Sequence, residues 1–64
     1  MKKYLGEIKE GLKIRVQFIK KPSRWTDNAI YEIEEIVNGL GFEQVKFKGY
    51  NLLHDSSNLS FYNI

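Results

Sequence analysis

The sequence predicts an α+β fold: a small antiparallel or mixed sheet of three strands with one helix packed on one face. The order is strand, helix, strand, strand, with a further N-terminal strand admitted ahead of them. Three observations predict it. Leu12, Ile14, Val16 and Phe18 alternate with Lys13, Arg15 and Gln17, the period of a half-buried strand. Ala29, Ile30, Ile33, Ile36, Val37 and Leu40 recur at spacings of three and four, the stripe of an amphipathic helix. Val45 and Phe47, then Leu59 and Phe61, return to alternation.

Taken in order, Tyr4 to Ile8 reads either as a short strand turned into the next by Glu10-Gly11 or as a loosely held leader. The first firm strand covers 12–19, and Pro22 forbids easy continuation of its ladder. The helix covers 26–40. Thr26 suits the N-cap, Asp27 the positive end of the helix dipole, and Trp25 and Ile30 the N′ and N4 positions of a hydrophobic staple. Gly41 suits a left-handed C′ residue, with Phe42 packing back on Val37. A second strand runs from about 42 to 50. His54-Asp55-Ser56-Ser57-Asn58 is a polar turn, and a short last strand at Leu59 and Phe61 is expected to pair back on the second.

One helix covers one face of such a sheet. The covered face takes Leu12, Ile14, Val16, Phe18, Val45, Phe47, Leu59 and Phe61. The opposite parity leaves Lys13, Arg15, Gln17, Lys46, Lys48, Tyr50, Ser60 and Tyr62 on an open, basic face that carries tyrosines.

The 64 residues form a single small α+β domain, 1–64, near the lower size limit for one apolar core. The chain has no cysteine and one histidine, so disulfides, thiolate metal sites and multi-histidine zinc sites are all excluded. No cofactor is implied. The basic start Met1-Lys2-Lys3 has no apolar run behind it, which argues against a signal peptide, and no stretch approaches a membrane span. A cytoplasmic setting fits the missing cysteines, and the chain reads as a complete short gene product. The order of elements resembles several unrelated one-helix α+β proteins, short phage- or mobile-element-encoded inhibitors among them. That resemblance is one of fold, and fold does not give function.

Net charge is only +2, but its distribution is uneven. Through Arg24 there are eight bases (Lys2, Lys3, Lys9, Lys13, Arg15, Lys20, Lys21, Arg24) against Glu7 and Glu10. From Asp27 to Glu43 there are five acids and no base, which predicts a molecule with one basic and one acidic side. The acids Glu32, Glu34 and Glu35 read as a solvated helix face. His54 beside Asp55, Ser56 and Ser57 reads as turn composition and not as a triad, whose members must converge in space. No phosphate-cradling glycine motif is present, since Asn38-Gly39-Leu40-Gly41 follows the expected helix instead of preceding it.

These features point away from an enzyme and toward a small binding protein that modulates or inhibits a macromolecular partner, a protein in the first place. The candidate contact residues are Lys13, Arg15, Lys20, Lys21, Arg24, Trp25, Lys46, Lys48, Tyr50 and Tyr62. Trp and Arg are the residues most enriched at binding hot spots. The alternative is a nucleic-acid-binding module that uses the basic, tyrosine-bearing sheet face, with rings stacking on bases and lysines tracking phosphates. A homodimer formed by edge pairing is a third arrangement open to so short a chain.

Overall fold

The computed structural model describes residues 2–64, and Met1 lies outside the described residues. Five strands make up the fold: β1 (Lys13–Phe18), β2 (Ala29–Val37), β3 (Gln44–Phe47), β4 (Leu53–Asp55) and β5 (Leu59–Tyr62), with a 3-10 turn, Ser56–Asn58, between β4 and β5. All neighbours are antiparallel, in the order β4-β3-β2-β1-β5.

The α+β expectation is therefore corrected. The described residues hold no α-helix, and the segment assigned to one is the central strand β2. The likeness in element order to one-helix α+β proteins falls with it. The reason lies in a β-bulge. Ile33 opposes Phe47, yet Glu35 opposes Lys46 and Ile36 opposes Val45, so Glu34 is an extra residue in the ladder. Tyr31 and Ile33 face the core ahead of the bulge, and the inserted residue brings Ile36 to that side after it. Ile33 and Ile36, three apart, thereby imitate helical spacing in a strand. Composition favours the strand: five of its nine residues, Ile30, Tyr31, Ile33, Ile36 and Val37, are β-branched or aromatic.

The expected helix ends are built differently. The Thr26 N–H donates to Tyr31 Oη at 3.2 Å and the Tyr31 hydroxyl donates to the Thr26 carbonyl at 3.1 Å, so the tyrosine pins a loop where a cap was expected. Asp27 Oδ1 accepts the Phe18 N–H at 2.8 Å instead of serving a helix terminus. Gly41 does adopt a left-handed conformation, φ 83°, but in the β2–β3 connection, where Leu40 and Phe42 are exposed.

The strand prediction for 12–19 matches β1, whose burial alternates along its length. The strand expected from 42 to 50 is the shorter β3. The polar segment after it divides: Leu53–Asp55 is β4, and only Ser56–Asn58 turns. β5 is a strand as expected, but it pairs with β1 (Val16↔Phe61, Phe18↔Leu59) and not with β3. At the N-terminus Lys3 makes an isolated bridge to Tyr62, and the Tyr4 N–H donates to the Phe61 carbonyl at 2.9 Å, so the leader is tied to the outer side of β5.

The core is Ile14, Val16, Phe18, Tyr31, Ile33, Val45, Phe47 and Leu59, with Leu12, Trp25, Ile36 and Phe61 packed against it. Phe18 of β1 and His54 of β4 have ring centroids 5.3 Å apart although two strands separate them in the sheet. In a flat sheet, strands three apart would lie roughly 14 Å from each other. The sheet therefore curls until β4 meets β1 across the core, so the sheet covers its own apolar face. Among the described residues no helix is long and apolar enough to cross a membrane.

Candidate interaction surface

The predicted contact residues fall into three groups. Lys13, Lys46 and Lys48 line up beside the acids of β2. Lys46 Nζ lies 3.2 Å from Glu34 Oε2, Lys48 Nζ lies 3.8 Å from Glu32 Oε2, and Lys13 is the cross-strand partner of Glu32. Because β2 runs between β1 and β3, its carboxylates sit among the lysines of its neighbours. The two-sided charge distribution is corrected accordingly: acids and bases interleave on the outer surface of the sheet, and the field of these lysines is locally offset.

Arg15 and Tyr62 form the second group, as cross-strand partners on β1 and β5. Arg15 Nη1 donates to the Asn28 carbonyl at 2.6 Å, and Gln17 Nε2 donates to Asn28 Oδ1. Asn28 holds a left-handed backbone, φ 62°, a conformation that asparagine tolerates better than most residues. One residue thus clasps two successive outward positions of β1.

The third group is Lys20, Lys21, Arg24, Trp25 and Tyr50. The first four lie on the β1–β2 loop, residues 19–28, and Tyr50 on the β3–β4 turn. The loop is anchored at its root. The Ile19 N–H donates to the Asn58 carbonyl at 2.9 Å, the Lys20 N–H donates to Asn58 Oδ1 at 2.9 Å, and Asn58 Nδ2 donates back to the Lys20 carbonyl at 3.1 Å. Its tip is a turn in which the Trp25 N–H reaches the Pro22 carbonyl at 3.4 Å, and Lys21 Nζ donates to the Trp25 carbonyl at 2.9 Å.

Trp25 plays a different part from the staple expected of it. Its ring meets Phe18, Tyr31, Phe47 and Tyr50, with centroids between 4.3 and 6.0 Å, and stands edge-on to His54 at 4.5 Å. The closest of these partners is Tyr50, tilted by 35° and 44 % exposed, so the cluster begins in the core and ends in solvent. Arg24 adopts φ 70°, a region that costs a side chain-bearing residue about 1–2 kcal/mol. Among the described residues Lys20, Lys21 and Arg24 have no carboxylate partner, unlike Lys46 and Lys48.

The sequence places His54 in a surface turn, but the structure buries it in β4 among Phe18, Trp25 and Phe47, where its Nε2 has no hydrogen-bond partner among the described residues. Burial pushes its imidazole below the ordinary histidine range. The residue two ahead of it, Leu52, is exposed, as is Leu53 beside it. Sequence patterning missed His54, the Tyr31 hydroxyl and the Asn28 and Asn58 clasps. The only signal for them was weak: the Asp27-Asn28 pair is typical of turns, and Tyr31 stood outside the helical stripe. Among the described residues no three His, Asp or Glu side chains converge as a metal site would require.

No protein-family model, no curated protein and no solved structure matches this chain.

Proposed function

We propose that this chain is a small, non-enzymatic binding protein that engages an acidic surface of a protein partner through its β1–β2 loop and thereby modulates that partner. One observation carries the reading. Three cations that have no carboxylate partner among the described residues, Lys20, Lys21 and Arg24, share a loop with Trp25, whose ring packs on the exposed Tyr50, and Arg24 is held in a strained backbone conformation. Arg24 takes its positive φ at the third position of the Pro22–Trp25 turn, and sparsely populated backbone conformations of this kind cluster at binding sites. Arginine and aromatic side chains on a rigid base are the usual anchors of an interface, because they bury much area at little cost in conformational freedom. Pinning by Asn58 and Tyr31 supplies that rigid base. The absence of cysteine supports a cytoplasmic setting.

A nucleic-acid partner is the second reading, favoured by the same Trp25–Tyr50 stack, since rings of this kind accept bases. It is the weaker of the two because Lys46 and Lys48, which it needs for phosphates, already face Glu34 and Glu32.

The test places a photo-crosslinking residue at position 24 and, as a control, at Glu7, and captures partners from cells. A protein captured from position 24 but not from Glu7, insensitive to nuclease, and bound about tenfold or more less tightly by Arg24→Ala supports the reading. Capture that nuclease abolishes transfers the loop to nucleic acid.

A further inference from the structure

We propose that the chain carries a separate anion site for a phosphate monoester, formed by Lys2, Arg15 and Asn63 with Ile64 as its apolar wall. These four residues line a cavity of about 560 Å³, a volume in the range of small-molecule sites. None of them belongs to the Trp25–Tyr50 cluster, so the site stands independently of the protein-binding reading.

Three chain segments that are distant in sequence meet there. Pairing of β1 with β5 sets Arg15 opposite Tyr62, the Lys3↔Tyr62 bridge lays the leader along β5, and the Asn63 N–H donates to the Lys2 carbonyl at 2.8 Å. Among the described residues the lining carries two cationic side chains and no acidic one; the α-carboxylate of Ile64 opposes one of those two charges and leaves the balance positive. Neither Lys2 nor Arg15 has a carboxylate partner among the described residues, whereas the outer-face lysines Lys46 and Lys48 do.

Arg15 is already positioned. Its Nη1 is tied to the Asn28 carbonyl at 2.6 Å, which fixes one corner of a planar group that carries five N–H donors. The remaining donors can present a fork to two phosphate oxygens, the geometry in which arginine excels. Lys2 adds a second, compact charge, which favours a dianionic phosphate monoester over a carboxylate. The Asn63 carboxamide supplies a neutral donor. A cavity of this size leaves room beyond the phosphate, and Ile64, exposed at the wall, offers apolar contact to an organic body.

The phosphate can come from a free small molecule or from the 5′ end of a nucleic acid, and the test separates them. The full chain, labelled with ¹⁵N, is titrated with inorganic phosphate, adenosine 5′-monophosphate, adenosine, and oligothymidylate with and without a 5′-phosphate. The expected result is saturable shifts of the Arg15 and Asn63 amides by adenosine 5′-monophosphate, with affinity near 1 mM or tighter on the general scale of single-site contacts, and none by adenosine. Lys2→Gln and Arg15→Gln each weaken binding about tenfold, while Lys46→Gln leaves it unchanged. Lys2 makes no internal side-chain hydrogen bond among the described residues, so its variant tests the site even if Arg15→Gln perturbs the β1 clasp. Tighter binding of the 5′-phosphorylated oligonucleotide than of the mononucleotide assigns the ligand to nucleic-acid ends, and the reverse to free esters. Either result upholds the site. Absence of shifts at Arg15 and Asn63, or retention of full affinity by Lys2→Gln and Arg15→Gln together, overturns it.

Discussion

Arg24 and His54 are two residues whose surroundings oppose them, and each opposition can be measured. Arg24 holds φ 70°, where glycine has no Cβ to clash. Arg24→Gly is expected to leave stability unchanged or raise it by up to about 1 kcal/mol, since relief of strain is partly offset by the greater freedom of glycine in the unfolded chain. Denaturant unfolding checks that, and partner affinity should fall in the same variant. A fall in both would mean that Arg24 serves the fold. His54 is buried with an unpartnered Nε2, so the folded state favours the neutral imidazole. Its folded pKa lies below the ordinary value of about 6.5, so between the two values the unfolded chain binds more protons. The contribution to stability is intact above about pH 6.5 and is lost as pH falls from there through the folded pKa. Unfolding at successive pH values should show this loss in the native chain and a shallower one in His54→Leu. An equal slope in both would place its origin in the carboxylates.

At the scale of elements, β2 is where two periodicities compete. A helix over 26–40 would bury Ile30 and Ile33 alike, whereas the bulged strand buries Ile33 and leaves Ile30 48 % exposed. Ile33→Ala is therefore expected to cost about 2–5 kcal/mol, and Ile30→Ala less than about 1 kcal/mol. Equal costs in the two variants would restore the helix. The β1–β2 loop is the second element whose state is decided by partners. Tyr31→Phe removes the hydroxyl that joins the Thr26 N–H and carbonyl, at about 0.5–1.5 kcal/mol, and hydrogen exchange should quicken along residues 19–28 more than elsewhere.

For the whole molecule, the interleaving of β2 acids with β1 and β3 lysines decides which charges remain to act at a distance. Lys46→Ala and Lys48→Ala should each change stability by less than about 1 kcal/mol, as exposed pairs do. They should leave partner affinity nearly unchanged. Replacing Lys20 and Lys21 together should lower the association rate and flatten its dependence on salt, because among the described residues those charges have no carboxylate partner to offset them. Stopped-flow association at two ionic strengths distinguishes the pairs. A larger effect from Lys46 and Lys48 would move the interface to the sheet.

The sequence alone determined β1 and β5, most of the core, the left-handed conformation of Gly41 though not the helix end expected there, and the contrast between a basic N-terminal third and an acidic middle. Each of these is written in local alternation or composition, and Ile14, Val16, Phe18, Val45, Phe47 and Leu59 all reach the core from alternation alone, whatever strand they pair with. Tertiary structure decided the rest. Whether Ile33 and Ile36 share a helix face or straddle a bulge depends on β3 lying opposite, since only the partner strand defines an extra residue. Whether Lys46 is free depends on Glu34 being across from it, and whether His54 is surface or core depends on the sheet curling to meet Phe18. The candidate loop was visible as a run of charges around Trp25, but its platform was not: Tyr50 and Asn58 come from remote segments, and so do Lys2 and Asn63 beside Arg15. Short-range patterning reports the face a residue prefers, while long-range pairing sets which neighbour that face meets, and in this chain the second determined both the fold class and the sites.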